Sequence, residues 1–180
     1  IEGLAVKNVK EGDKFLAANG GLLSTSIDIN YNSETQEIEL LGINGEVVNS
    51  LAFQHIIVGE IYDVLKKSDS WKPYAFKHLY NKEEYYMFDP DRVNYGTIRE
   101  YPCPGYQNFG QFDAMVEKGD VLGIFTGHDH TNAFAVEHKG IDIVNSLSTR
   151  YIGLCHSTQC GYRVIEVDEN DTSSYETRVA

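Results

Sequence analysis

The sequence offers little for a membrane or a polyanion to hold. It has no apolar run of about eighteen residues and no signal-peptide pattern, so no segment is expected to cross a membrane. It begins at Ile1 rather than Met, so the lack of a leader carries no weight about secretion and no compartment follows. Basic charge is scarce: 15 Lys and Arg against 27 Asp and Glu give a net charge of -12. Such a field excludes wrapping nucleic acid or docking on an anionic membrane through general electrostatics. An anionic substrate would need a local source of attraction, and a metal ion is the obvious one. Cysteine is also scarce. The three residues Cys103, Cys155 and Cys160 are an odd number, which argues against a full disulfide framework. Cys155 and Cys160 can pair across a turn or remain free thiols. What remains is an ordinary globular composition, 42% apolar and rich in tyrosine, long enough for one domain with a sizeable core.

Taken in order, the chain starts with short apolar pieces and the turn Asn19-Gly20-Gly21. Partial alternation from Ser24 to Tyr31 and from Glu37 to Ile43 predicts two strands of a β-meander. Residues 51–58 are apolar nearly throughout, as in a strand covered on both faces, and His55 is their one ionisable side chain. Residues 60–67 carry a helical stripe at Ile61, Val64 and Leu65, with acids first and lysines last. Strand, polar turn and helix make an α/β unit.

Residues 68–108 show no steady period and hold many aromatics. A connection this long is uncommon without a function. It is expected to be an ordered excursion, either a lid or wall beside an active site or a packing cover. Lys72, Lys77, His78, Lys82 and Arg92 are its candidate substrate contacts. Asn108 and Gln111 resemble a capping box, and Lys118-Gly119 ends the helix they open. Strands follow at 121–126, 133–136, 141–147 and 161–167, and the polar tail from Asp168 is expected to fray.

The most informative stretch is Gly127-His128-Asp129-His130-Thr131-Asn132, placed directly after the apolar strand 121–126. In an extended chain residues i and i+2 point the same way, so His128 and His130 can aim at one point or at two neighbouring points. Two imidazoles converging beyond a buried strand suggest a metal site on an α/β scaffold.

Four pieces together resemble the C-terminal half of the calcineurin-like metallophosphoesterases, in their purple-acid-phosphatase-like branch. They are Leu51-Ala52-Phe53-Gln54-His55-Ile56 with Glu60; Asn108-Phe109-Gly110-Gln111-Phe112 running to Lys118-Gly119-Asp120-Val121; Phe125 to Asn132; and Gly161 to Asp168. The resemblance covers residues 45–170. It implies an α/β fold, part of a layered α/β/β/α sandwich over residues 1–170, with residues 171–180 as a polar tail. It implies two metal ions of the Zn, Fe or Mn class in the complete enzyme, and in-line attack on phosphorus by a metal-activated water. His55 and His128 would hold one ion and His130 the other. Asp129 and Asn132 would support them, and Arg150 could hold a phosphate.

Of the family's Asp-x-His, Gly-Asp and Gly-Asn-His motifs, the first fifty residues offer only Glu11-Gly12-Asp13 and Asn19-Gly20-Gly21, and Asp13 has neither the strand before it nor the partners after it. The expectation is therefore that these residues are the C-terminal part of a longer enzyme. Its partners would be a phosphate-ester substrate and either the absent N-terminal half or a second copy across an exposed edge. Two alternatives stand beside the hydrolase: a catalytically inactive binding or structural module of the same fold, and a hydrolase with one metal on three histidines.

Overall fold

A computed structural model describes residues 14–16, 26–32, 37–41, 49–89, 91–149, 160–168 and 170–180. The chain divides into two units, residues 1–48 and 49–180. The first unit contains β1 (Lys14–Leu16), β2 (Ser26–Asn32) and β3 (Glu37–Leu41). They form an antiparallel sheet in the order β1-β2-β3, with Asn32 opposite Glu37 at the end where the chain turns back. The expected meander is present, because Ser-Ile-Asp-Ile-Asn alternates at the period of a strand.

The second unit runs β4 (Ser50–Phe53), α1 (Ile61–Val64), β5 (Lys66–Ser68), β6 (Phe76–Lys77), β7 (Tyr85–Met87) and β8 (Val93–Thr97). It continues through α2 (Gln111–Lys118), β9 (Val121–Thr126), β10 (Ala133–His138), β11 (Ile141–Asn145), β12 (Arg163–Asp168) and β13 (Asp171–Val179). The main sheet has the order β4-β9-β11-β10-β8. β9 pairs in parallel with both β4 and β11, and β10 is antiparallel to β11 and β8. The molecule is mixed α/β around this sheet.

Residues of the central strands alternate between two cores. Ile124, Phe134, Val136 and Ile143 face one cluster with Ile61, Val64 and Phe112. Phe125, Ala135 and Val144 face the other, with Leu51, Ile165 and Tyr175 packed against them. Both faces are thus covered, which is why these strands read as continuous apolar runs. The second cover is the β12–β13 hairpin. Its Tyr175 hydroxyl hydrogen-bonds to Asp142 and crosses Gly123, where a Cβ would sit 2.8 Å from the tyrosine oxygen.

Several expectations change. The polar tail does not fray: residues 171–179 form β13, paired with β12 from Arg163↔Val179 onward. Most of its side chains face water and only Tyr175 and Thr177 are partly buried, so its polar composition hides a strand. The strand expected over 51–58 stops at Phe53, and His55 sits in the bend beyond it. The helix expected through Lys67 ends at Val64, with Leu65 extended. There tertiary pairing overrides helical patterning, because Lys66–Ser68 pair with Tyr85–Met87. The cap of α2 is Gly110 at φ 80° rather than Asn108. Asn108 instead accepts the Gly110 N–H and donates to Glu60.

The excursion 68–108 is ordered around a small sheet, β5-β7-β6, and supplies β8 to the main sheet. Buried Tyr62 pins it, donating to the Pro102 carbonyl at 2.8 Å and accepting the Leu79 N–H. Its basic residues mostly serve this local packing. His78 accepts two backbone N–H groups, Lys77 and Lys82 lie over tyrosine rings, and Arg92 donates to the Asp63 carbonyl.

Candidate metal centre

β4 and β9 are adjacent and parallel, so both release their chains at the same end of the sheet. That end is where α/β sheets collect their ligands. The pairing continues past the strands: Gln54 N–H donates to the Phe125 carbonyl, and Gly127 N–H to the His55 carbonyl. His55 and His128 leave side by side as a result. His128 Nδ1 lies 3.2 Å from His55 Nε2, and the rings meet edge to face at 5.0 Å.

With one of these nitrogens protonated, the contact is an N–H···N hydrogen bond. With both unprotonated, two lone pairs face one another. Two nitrogens each ~2.0–2.1 Å from one tetrahedral ion are ~3.3 Å apart, so the observed spacing fits a shared metal ion. Both rings are exposed, which leaves further coordination positions accessible.

His128 is held at φ 64°, a left-handed conformation rare for a residue with a side chain. A buried polar network maintains it. Asn145 is 0% exposed and its amide donates to the carbonyls of Asp129 and Asn132. Asn132, also fully buried, accepts the N–H groups of Arg99 and Glu100 through Oδ1 and donates to the Glu100 carbonyl. Thr131 N–H donates to the Glu100 carboxylate at 2.6 Å. Asp129 is 3% exposed and accepts the Cys103 N–H at 3.2 Å. Every polar group named here is satisfied, which makes the loop stiff.

Burial pushes the Asp129 carboxyl above its ordinary range, opposed by the hydrogen bonds from Cys103 and Asn132. The Cys103 thiol is pushed up to about 11, first by burial and then by the Asp129 charge beside it. Cys103, His128 and Asp129 present ligand atoms that all lie within 4.8 Å of one another, the grouping of this kind among the described residues.

The six site residues expected from sequence fall in different places. His55 and His128 come together. Asp129 and Asn132 point inward and hold the loop. His130 is exposed and belongs to no such grouping among the described residues. The i, i+2 alternation does not carry over to it, because the loop is not extended: His128 is left-handed and a turn begins at His130. Arg150 lies outside the described residues, as does Cys155, while Cys160 is disulfide-bonded. Sequence reasoning missed Asn145 and the part played by Cys103. The signal for Asn145 was a lone amide ending an apolar strand. Cys103 stood between two prolines in a segment without periodicity.

Beside His55 opens a cleft of about 440 Å³, lined among others by Gln54, Glu60, Asn108, Phe109 and Gln111. Gln111 donates to the Gln54 side chain at 2.7 Å. Among the described residues the lining contains one carboxylate, Glu60, and no Lys or Arg.

Comparison with known proteins gives two partial matches. The chain is 36% identical over 70 residues to an Arabidopsis thaliana protein named probable inactive purple acid phosphatase 14, covering 39% of this chain and 18% of that one. It is 35% identical over 60 residues to probable inactive purple acid phosphatase 29 of the same plant, covering 33% of this chain and 15% of that one. The chain therefore spans less than a fifth of the length of these curated relatives. No family model matches, and no solved structure matches. The two similarities support a purple-acid-phosphatase-like relationship for this chain.

Proposed function

We propose that residues 49–180 are the C-terminal part of a metal-dependent phosphoester hydrolase domain, in which His55 and His128 hold a metal ion. The observation that carries this reading is the 3.2 Å approach of two ring nitrogens at the ends of adjacent parallel strands. A bound ion of the Zn, Fe or Mn class would supply water activation and neutralise charge on a phosphoryl group. The chain's own residues do the rest. His55 and His128 provide neutral nitrogen donors, and the Asn145–Asn132–Asp129 network fixes where His128 points. The cleft beside His55 receives the ester. Because its described lining residues include no Lys or Arg, attraction for an anionic ester would fall to the ion.

In a complete enzyme His130 would serve a second ion, with partners contributed by a longer chain. β4 is the terminal strand of its sheet and Phe53 on it is 66% exposed, so the edge where such a partner or a second copy would add lies beside the site.

Equilibrium dialysis of the chain against Zn²⁺, Mn²⁺ and Fe²⁺ tests the reading, with the double variant His55→Ala/His128→Ala as control. Saturable binding by the wild-type chain, absent from the control, is expected. Equal binding by both would reject the site. Hydrolysis of phosphomonoesters and phosphodiesters by the loaded chain then separates catalysis from binding.

The second reading is a non-catalytic module of the same fold. The printed names of both relatives, which call them inactive, favour it. Metal binding without turnover is its expected signature.

A further inference from the structure

We propose that the cavity lined by Tyr80, Tyr106 and Glu60 holds the quaternary ammonium group of a choline-type phosphate ester, whose phosphoryl group lies in the cleft beside His55. This rests on the hydrolase reading above and names a substrate class for that site. The cavity has a volume of about 260 Å³, and Asp63 and His78 also line it. It shares Gly59, Glu60, Gly105 and Asn108 with the cleft beside His55, so the two adjoin. Two of its walls are aromatic. Tyr80 and Tyr106 stand at 83° with ring centroids 5.1 Å apart, and together they make a corner. The Tyr80 hydroxyl donates to the Pro104 carbonyl at 2.7 Å, which fixes that ring. Tyr106 is 79% exposed, so it stands at the mouth of the cavity rather than in the core. Aromatic corners of this kind attract cations that have no N–H to donate.

The charges around the cavity agree. Glu60 is 8% exposed and lines both cavities. Its carboxylate accepts from the Asn108 amide at 2.6 Å, and no Lys, Arg or His pairs with it among the described residues. A buried carboxylate without a cation is costly, and a bound ammonium group would offset that cost. No Lys or Arg lines the cavity among the described residues. Lys67 and Lys82 of the excursion are engaged by Glu84 and by the Tyr101 ring. His78 Nδ1 accepts the N–H groups of Tyr80 and Asn81, and burial holds this imidazole below its ordinary pKa, so it adds no competing charge. The net charge of -12 adds a general field that favours cations. Hydrolysis of phosphocholine would form a phosphorus–oxygen bond to water and break the one to the choline oxygen. A proton from the water would pass to that oxygen, leaving choline in the cavity.

Titrating the metal-free chain with choline isolates the cavity, with 3,3-dimethylbutan-1-ol as the uncharged isostere. Choline should shift the Tyr80 and Tyr106 ring resonances to saturation, and the isostere should bind about fivefold or more weakly. Tyr106→Ala should weaken choline binding by about the same factor, and Tyr106→Phe should retain it. No saturation, equal binding of the isostere, or undiminished binding by Tyr106→Ala would overturn the ammonium site, whether or not the histidines bind metal. In the Zn²⁺-loaded chain, phosphocholine should bind about fivefold or more tightly than ethyl phosphate, which has the same phosphoryl group and no cation. Equal affinity would overturn the shared substrate. Choline binding by a chain that takes up no metal would overturn the ester and the hydrolase reading together, and leave the ammonium cavity standing. Co-sedimentation with phosphatidylcholine vesicles, against phosphatidylglycerol vesicles, identifies the source of the ammonium group. Retention on the first alone assigns a lipid headgroup, and no retention assigns a soluble ester.

Discussion

The two arms that bring the histidines together are built in opposite ways. The His128 arm is a loop locked by buried amides. Asn145 and Asn132 are 0% and 1% exposed, and between them their side chains satisfy five backbone groups: the N–H groups of Arg99 and Glu100 and the carbonyls of Glu100, Asp129 and Asn132. The His55 arm has no such interior. It continues β4 by one hydrogen bond from Gln54 and one to the His55 carbonyl, and Gln54, His55 and Ile56 are partly or fully open to solvent. One imidazole is placed by a polar core, the other by strand pairing alone. One side of the histidine pair is thus stiff and the other compliant. The loop sets the reference point, and the edge adjusts to it.

The largest effect should come from the locked arm. Asn145→Ala leaves two buried carbonyls without a donor, and should lower stability by about 3 kcal/mol in urea unfolding. A loss under about 1 kcal/mol would mean that the loop is not held by the interior, and the contrast between the arms would fail. On the compliant arm, Gln54→Ala removes the hydrogen bonds to Gln111 and to the Ile56 carbonyl, both solvent-exposed, and should cost about 0.5 kcal/mol. His55→Ala should change stability by no more than about 0.5 kcal/mol, since the ring is exposed, yet remove metal binding in dialysis. A strongly destabilised His55→Ala would place the histidine among the structural residues.

The smallest effect lies outside both arms. Glu84 on the excursion is held below the ordinary carboxyl value of 4.5, first by Lys67 and then by Tyr86. A lowered folded-state value means that its contribution is complete above 4.5 and is lost as the pH falls through the lowered value. Glu84→Gln should therefore flatten a slight acid-side slope in stability below that pH, and added salt should mask the difference because the pair is exposed. A change in the metal affinity of this variant at neutral pH would show that the excursion's ion pair is coupled to the site.

Much of the central sheet could be read directly from its residues. Val121–Thr126, Ala133–His138 and Ile141–Asn145 are apolar because they are covered on both faces, and that pattern survives in the sequence. Lys118-Gly119 ends α2 as expected, with Gly119 left-handed and donating to the Met115 carbonyl. The ends of other elements were not legible, because they depend on partners distant in sequence. Lys66–Ser68 leaves the helical pattern to pair with Tyr85–Met87, and β13 is a strand because Tyr175 reaches across Gly123 to Asp142. At the loop, His-x-His follows β9 as expected, but it is not extended as the i, i+2 argument required. The loop after His128 is held by Asn145 from another strand, which no reading of the six loop residues contains.

The adjacency of β4 and β9 also has a kinetic side. The two histidines are 73 residues apart in sequence, so their meeting closes a long loop through the whole excursion and α2. Such contacts come late, after local hairpins such as β10–β11 and β12–β13 have formed, because closure entropy must be met before the contact gives anything back. The histidine pair is then a reporter of completed topology. A folding intermediate with its hairpins intact would have both imidazoles and nowhere to bring them together.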